Sequence, residues 1–266
     1  MITKEEVDLY IDKIPPVPKT LQDTISLLKK GELTKASKIA QTDPALSSYL
    51  KNIVNKPIYG FTTKVEDITQ IFSIFGVNGT LKIIYSYMMN LLSPEKWYFF
   101  NLNKNLFNML QDELNVNWVK ILKYLKVDNK DYEHTIALLP STIIVCEALF
   151  SSKKENVELL RSNTDLDLNT ILYRLSGYSL LDIYEKIAKK WELDKKAIEV
   201  IKVASGISLS KDEEINQLGK WMHLLLFYEL SKPQFIEAGL NNFIEFNIEM
   251  VMDIYEEFNK IMGIEE

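Results

Sequence analysis

Apolar residues recur at three- and four-residue spacings along the whole chain, and the breaks between runs are helix caps rather than hairpin turns. Period-two alternation is almost absent. Such a pattern buries its stripes by packing helix on helix, so the expected fold class is all-α, a multi-helix bundle. With 266 residues and 47% hydrophobic content, the chain can bury one large core or two modest ones.

Thr3 and Glu6 form a capping-box pattern ahead of Val7, Tyr10, Ile11 and Ile14, and Pro15-Pro16 stops this first helix. Pro18 suits the first position of a second helix, with Leu21, Ile25 and Leu28 on one face and Gly31 at its end. A third carries Leu33, Ala36, Ile39 and Ala40. Asp43-Pro44 starts a fourth, because Asp caps free N–H groups and Pro pre-sets the first turn; Leu46, Tyr49, Leu50 and Ile53 follow, and Asn55-Lys56-Pro57 closes it. Asp67 opens the next, with Ile68, Ile71, Phe72 and Phe75 inward and Gly76 as its stop.

Ser93-Pro94 leads into an aromatic run, Trp97 to Phe100, and helices are predicted from Trp118 to Leu125 and from Ile136 to Phe150, the latter kinked or begun by Pro140. Three short helices follow. Leu168 to Leu175 ends at Gly177, Ser179 with Asp182 begins one through Ile187 and Trp191, and Asp194 caps one through Ile201. Ile215, Leu218, Met222, Leu225 and Leu226 then share a stripe. After Pro233, Ile244, Ile248, Val251, Tyr255, Phe258 and Met262 fall at alternating spacings of four and three, a heptad pattern. It predicts a helix lying back on its own domain, or else pairing with a second copy.

Acidic residues outnumber basic ones 37 to 31, for a net charge of -6, which argues against nonspecific nucleic-acid binding. Trp97 to Phe100 offers stacking surface, but Arg161 and Arg174 are the only arginines, so the run is read as core filling. Cys146 is the sole cysteine, set among Ile143, Ile144 and Val145, and reads as a buried hydrophobe in a reducing compartment. The N-terminus lacks a signal-peptide layout and no uninterrupted apolar run approaches about 18 residues, so a cytoplasmic location without membrane contact is expected and the sequon at Asn78 is incidental.

A metal-dependent hydrolase needs several His and Asp ligands around a cation and its activated water. This chain has only His134 and His223, neither followed by Asp, which excludes a histidine-rich site. Asp165, Asp167 and the cluster Asp212-Glu213-Glu214 leave a carboxylate-only site open, though such groups are more often helix starts. No phosphate-binding glycine loop, Gly-x-Ser-x-Gly elbow or Cys-x-x-Cys pair occurs.

Ile14-Pro15-Pro16-Val17-Pro18, then Ile39 to Leu46 with Asp43-Pro44-Ala45-Leu46, then Asn55 with Tyr59-Gly60, resemble in type, order and spacing the opening of HDOD domains, the branch of the HD phosphohydrolase fold that lacks the metal site. Ile68 to Gly76 fills the place of that family's apolar helix ending in Gly. A further match runs from Gly177 through Trp191-Glu192-Leu193 to Ile201. Ser179-Leu180 and Ala204-Ser205 stand where many members keep histidines, and Ile143 to Glu147 occupies the position of the His-Asp signature. Lys56 replaces the usual small Ser.

The resemblance spans residues 10–206, most clearly 10–92, leaving 207–266 as additional C-terminal helices packed on the domain or used for oligomerisation. It implies a bacterial signalling domain acting through contacts with other signalling proteins, with no catalytic, cofactor-binding or metal-binding residue. Asn55, Lys56, Tyr59 and Phe61 are its candidate interaction loop, because recognition residues concentrate in irregular segments on a rigid frame. Pro15, Pro16, Pro18, Asp43, Pro44, Gly60 and Gly76 are its structural motif. The alternatives are a sensor holding a nucleotide or second messenger in a vestigial HD pocket, and a divergent metal-dependent phosphohydrolase using Asp165 or Asp167.

Overall fold

A computed structural model describes residues 2–127, 132, 135–191, 195–206 and 208–264. His134 and the predicted cap Asp194 lie outside them. Among the described residues the fold is all-α, with no strand. The chain forms two compact units, one of residues 16–91 and the other of residues 1–15 with 92–266.

The first unit holds α2 (Lys19–Lys29), α3 (Leu33–Gln41), α4 (Pro44–Val54) and α5 (Ile68–Leu92), with α3 packed between α2 and α4. Pro18 sits one position outside α2, at its N-cap. Asp43 accepts the N–H groups of Ala45 and Leu46, with Pro44 in the first turn, as its residue types dictate. Gly76 corrects the expected stop. At φ 65°, ψ −171° it leaves helical geometry for one residue, and helix resumes at once to Leu92. That backbone region is essentially closed to residues with a Cβ, so a glycine there breaks a helix without needing a loop. The second half buries Leu81, Ile84, Tyr85 and Met88, and Tyr87 lies 5.0 Å from Tyr49 on α4.

The second unit begins with α1 (Lys4–Lys13), whose Thr3–Glu6 capping box is formed. Its later helices are α6 (Lys104–Tyr124), α7 (Ser141–Phe150), α8 (Lys154–Thr164), α9 (Leu168–Ser176), α10 (Leu180–Lys190), α11 (Lys195–Ala204) and α12 (Glu213–Leu230). Then come α13 (Pro233–Glu237), α14 (Ile248–Val251) and α15 (Tyr255–Met262). α1 packs on α7, α9 and α10, fixed by Lys186, which donates to Asp8 at 2.7 Å, and by Lys190, which donates to the carbonyls of Ile11 and Asp12 at 2.9 Å. α12 packs on α11 and α6. Gly219 permits the first contact, since a Cβ there would lie 2.3 Å from the Val203 side chain.

α6 is far longer than the predicted Trp118 to Leu125, starting at an Asn103 cap. Pro140 begins α7 rather than kinking it, and Thr135–Leu138 is a separate 3-10 turn. Thr135–Thr164 contains a window long and apolar enough to cross a membrane, longer than the sequence count allowed because Thr142 and Glu147 interrupt that count without interrupting helix; 82% of the window is buried inside the protein.

The heptad helix is the main correction. Ile244 lies in a loop, Asn247 caps the four-residue α14, and a 3-10 turn over Met252–Ile254 separates it from α15. Val251, Ile254 and Phe258 face inward, while Ile248, Met252 and Tyr255 are exposed. Even four-and-three spacing places residues on one stripe only if the helix is continuous, and here it re-aims at each break.

Candidate functional site

The predicted interaction loop follows the end of α4. Pro57–Tyr59 forms a 3-10 turn that Gly60 closes at φ 67°, its N–H donating to the Pro57 carbonyl at 3.0 Å. Asn55 is the staple at its base. Its Nδ2 donates to the carbonyls of Lys51 at 2.8 Å and Val65 at 3.0 Å, and its Oδ1 accepts the Val65 N–H at 2.9 Å. Residues 56–64 are thus an excursion whose two ends are held together by one amide.

Asn55 is therefore turned inward, whereas Tyr59 and Phe61 are 39% and 44% exposed. Tyr59 meets Phe75 edge-on, with centroids 5.1 Å apart, which fixes its ring without covering it. Lys56 is half-buried beside them. Of the four candidates, the structure brings Lys56, Tyr59 and Phe61 together on one short turn and gives Asn55 the task of holding it.

Elsewhere the motif residues make structural contacts. The Pro15 carbonyl accepts the indole N–H of Trp191 at 3.1 Å, joining the Pro-rich lead-in to the later Trp motif. Ser179 and Asp182 form a second capping box. Asp167 caps α9, its two oxygens accepting the N–H and the hydroxyl of Thr170 at 3.0 and 2.6 Å. Asp212 caps α12, and Asp165 is the left-handed residue ending α8. Among the described residues no group of three or more His, Cys, Asp or Glu side chains could hold a metal ion.

A cavity of about 20 Å³ is lined by Thr142, Leu180, Tyr184, Ile201, Ala204 and Leu226, and Leu180 and Ala204 are among the positions where the resemblance places histidines in other members. That volume suits roughly one water molecule. Cys146, on the same stretch of α7, is fully buried and its thiol is pushed well up by desolvation, so it is no reactive thiolate.

Glu147 and Lys154 have local roles that the sequence pattern did not mark. Glu147, 2% exposed, accepts the backbone N–H groups of Tyr98, Phe99 and Phe100 at 2.6 to 3.1 Å. Lys154 donates to the carbonyls of Tyr98 and Phe99. The aromatic run is therefore an ordered non-helical segment, with Phe99 and Phe100 buried and Tyr98 exposed. A lone carboxylate in the apolar stretch Ile143–Phe150 was the available signal. His223, beside Trp221 and Met222 on the long helix α12, is fully buried and lies against the Ala204 carbonyl at 2.8 Å and the Asn247 N–H at 3.1 Å. Burial holds its basicity below the ordinary histidine value.

An all-helical frame with a Pro-rich lead-in, an Asp-Pro cap and an asparagine-stapled loop defines a domain of the HD-related class. The HDOD domain family matches residues 14–206, and the chain belongs to that family. No curated protein matches it. An HDOD domain protein of unknown function from Geobacter sulfurreducens is similar in structure, with a TM-score of 0.68 at 13% identity, covering 98% of this chain and 95% of that one. A protein described as a candidate metal-dependent phosphohydrolase from Shewanella amazonensis is similar at a TM-score of 0.53 and 13% identity, over 97% and 98% of the two chains. At these identities the likeness is one of fold.

Proposed function

We propose that this HDOD protein is a non-catalytic regulatory domain of a bacterial signalling system, acting through contacts with other proteins made by the turn Lys56–Phe61. One observation carries the reading: the side chain of Asn55 closes the base of the loop while Tyr59 and Phe61 stay exposed at its tip. A rigid turn presenting aromatic rings loses little conformational freedom on binding, which favours recognition.

The cavity of about 20 Å³ beside Leu180 and Ala204 supports this reading over a nucleotide sensor there, since a nucleotide needs a pocket of several hundred Å³. The engagement of Asp167 as a helix cap weighs against its use as a metal ligand. A photo-crosslinking residue at position 61, in cells of the source organism, tests the proposal. The expected result is a discrete adduct of identifiable mass that Tyr59→Ala removes while the melting temperature stays unchanged. A phosphodiesterase activity of the purified protein that depends on Asp165 or Asp167 would overturn it.

A further inference from the structure

The second unit contains a much larger cavity beside the small one at Leu180 and Ala204, the two sharing Ile244 in their linings. It measures about 860 Å³, within the roughly 300–1,000 Å³ range of small-molecule sites. Its floor is apolar and buried, with Leu224, Phe243 and Phe258 all at 4% exposure or less, and Phe227, Phe246 and Tyr255 form further walls. Most of these residues lie beyond position 206, where the family match ends.

The walls are pinned, which keeps the space from closing. The segment between α13 and α14 is tied to the start of α9 by the N–H groups of Leu168 and Asn169, which donate to the carbonyls of Asn242 and Phe243. Arg161 donates to the Asn241 carbonyl at 2.8 Å. At the other end of the segment, the Asn247 N–H is held by His223, whose ring stacks on Phe246 with centroids 5.6 Å apart. A protein interior is close-packed, so a void of this size with fastened walls is a pre-formed site.

Charge selects the occupant. The lining carries the carboxylates of Asp165, Asp167 and Glu245 against the guanidinium of Arg174, while the Arg161 guanidinium behind it is engaged by the Asn241 carbonyl. Asp165, Glu245 and Arg174 are exposed and Asp167 is half-buried, so the charged groups sit at the solvent side and the apolar groups beneath. We infer that this cavity binds a small amphiphilic cation, an apolar chain or ring carrying a protonated amine, with the apolar part on the aromatic floor and the ammonium at the acidic rim. Aromatic faces around the opening favour the same sign of charge.

The test uses three probes with one tail and different heads: decylamine, decanol and decanoate, titrated calorimetrically into the full chain below their micelle concentrations. Decylamine is expected to bind one-to-one and at least tenfold more tightly than decanoate, with decanol between them. Asp165→Asn with Glu245→Gln should narrow that ratio to less than threefold. Asparagine is tolerated at the positive φ of residue 165, so the variant keeps its backbone. Ile236→Trp, a half-exposed lining position, should block decylamine without lowering the melting temperature. Absence of saturable binding, decanoate binding as tightly as decylamine, or a ratio untouched by the double variant would each overturn the proposal. If Ile236→Trp unfolds the chain, the charge variant decides alone. The inference does not depend on the interaction loop, because residues 55–61 contribute nothing to this cavity.

Discussion

The backbone N–H of Asn247 donates to Nε2 of His223 at 3.1 Å, so that nitrogen carries no proton and Nδ1 must carry it, donating to the Ala204 carbonyl at 2.8 Å. One neutral imidazole thereby joins α12 to the end of α11 and to the cap of α14. Protonating the ring would place a proton on Nε2 where a donor already points.

The pH dependence follows from that arrangement. The folded-state pKa of His223 lies below the ordinary value of 6.5, so the unfolded chain takes up the proton first as pH falls. Its contribution is complete above about pH 6.5 and is lost as pH drops toward the folded pKa, with a slope of at most about 1.4 kcal/mol per pH unit. Urea unfolding of the parent and His223→Gln at intervals from pH 8 to pH 5 checks it. The stability difference between the two should shrink on acidification, and a constant difference would refute the assignment.

Asn55→Ala should destabilise the protein by about 1–3 kcal/mol, because the Val65 N–H and carbonyl lose a part-buried partner. Asn55→Asp should be at least as costly near neutral pH, since a carboxylate cannot donate to the carbonyls of Lys51 and Val65. Chemical denaturation gives the energy. Limited proteolysis between residues 56 and 64 gives the location, with faster cleavage expected in both variants.

Glu147→Gln should cost about 2–4 kcal/mol. Three N–H groups converge on two carboxylate oxygens, and glutamine offers one acceptor and one amide that faces those donors. A fall in the denaturation midpoint with an unchanged slope would show lost stability rather than a changed denatured state.

Gly219→Ala should destabilise by about 1–3 kcal/mol through overpacking, because the new methyl meets Val203 at 2.3 Å and the Ala204 nitrogen at 3.2 Å. Val203→Gly makes room, because it removes both the Cγ1 at 2.3 Å and the Cβ at 2.4 Å from the new methyl. In a double-mutant cycle the two substitutions should therefore be less damaging together than their sum, with a coupling of about 1 kcal/mol or more. Strict additivity would mean the helices separate instead.

What the sequence displayed plainly was whatever is decided within a few residues. Thr3 with Glu6, Asp43 with Pro44, and Ser179 with Asp182 each satisfy N–H groups two or three positions away, and all three caps are formed. The loop at Asn55 was visible as a motif, but its inward amide was not, because its partner Val65 is ten residues on. Glu147 was harder still, with partners 47 to 49 residues earlier. The C-terminal heptad misled for a different reason. Apolar spacing records which residues seek burial and not whether the backbone between them stays helical, and Asn247 with the 3-10 turn at Met252–Ile254 interrupts it.

Because residues 16–91 form a unit inserted between the two parts of the other, the order of synthesis and the order of assembly are different. The inserted unit is complete soon after residue 91 emerges from the ribosome. α1, made before it, finds Lys186 for its Asp8 only 178 residues later, a wait of about 10–40 s at ordinary translation rates. Until α7, α9 and α10 have been made, Val7 and Ile11 lack the helices they pack against. α1 is made before the inserted unit yet finds its partner after it, and a pause in translation before codon 190 would lengthen the exposure of that one apolar stripe.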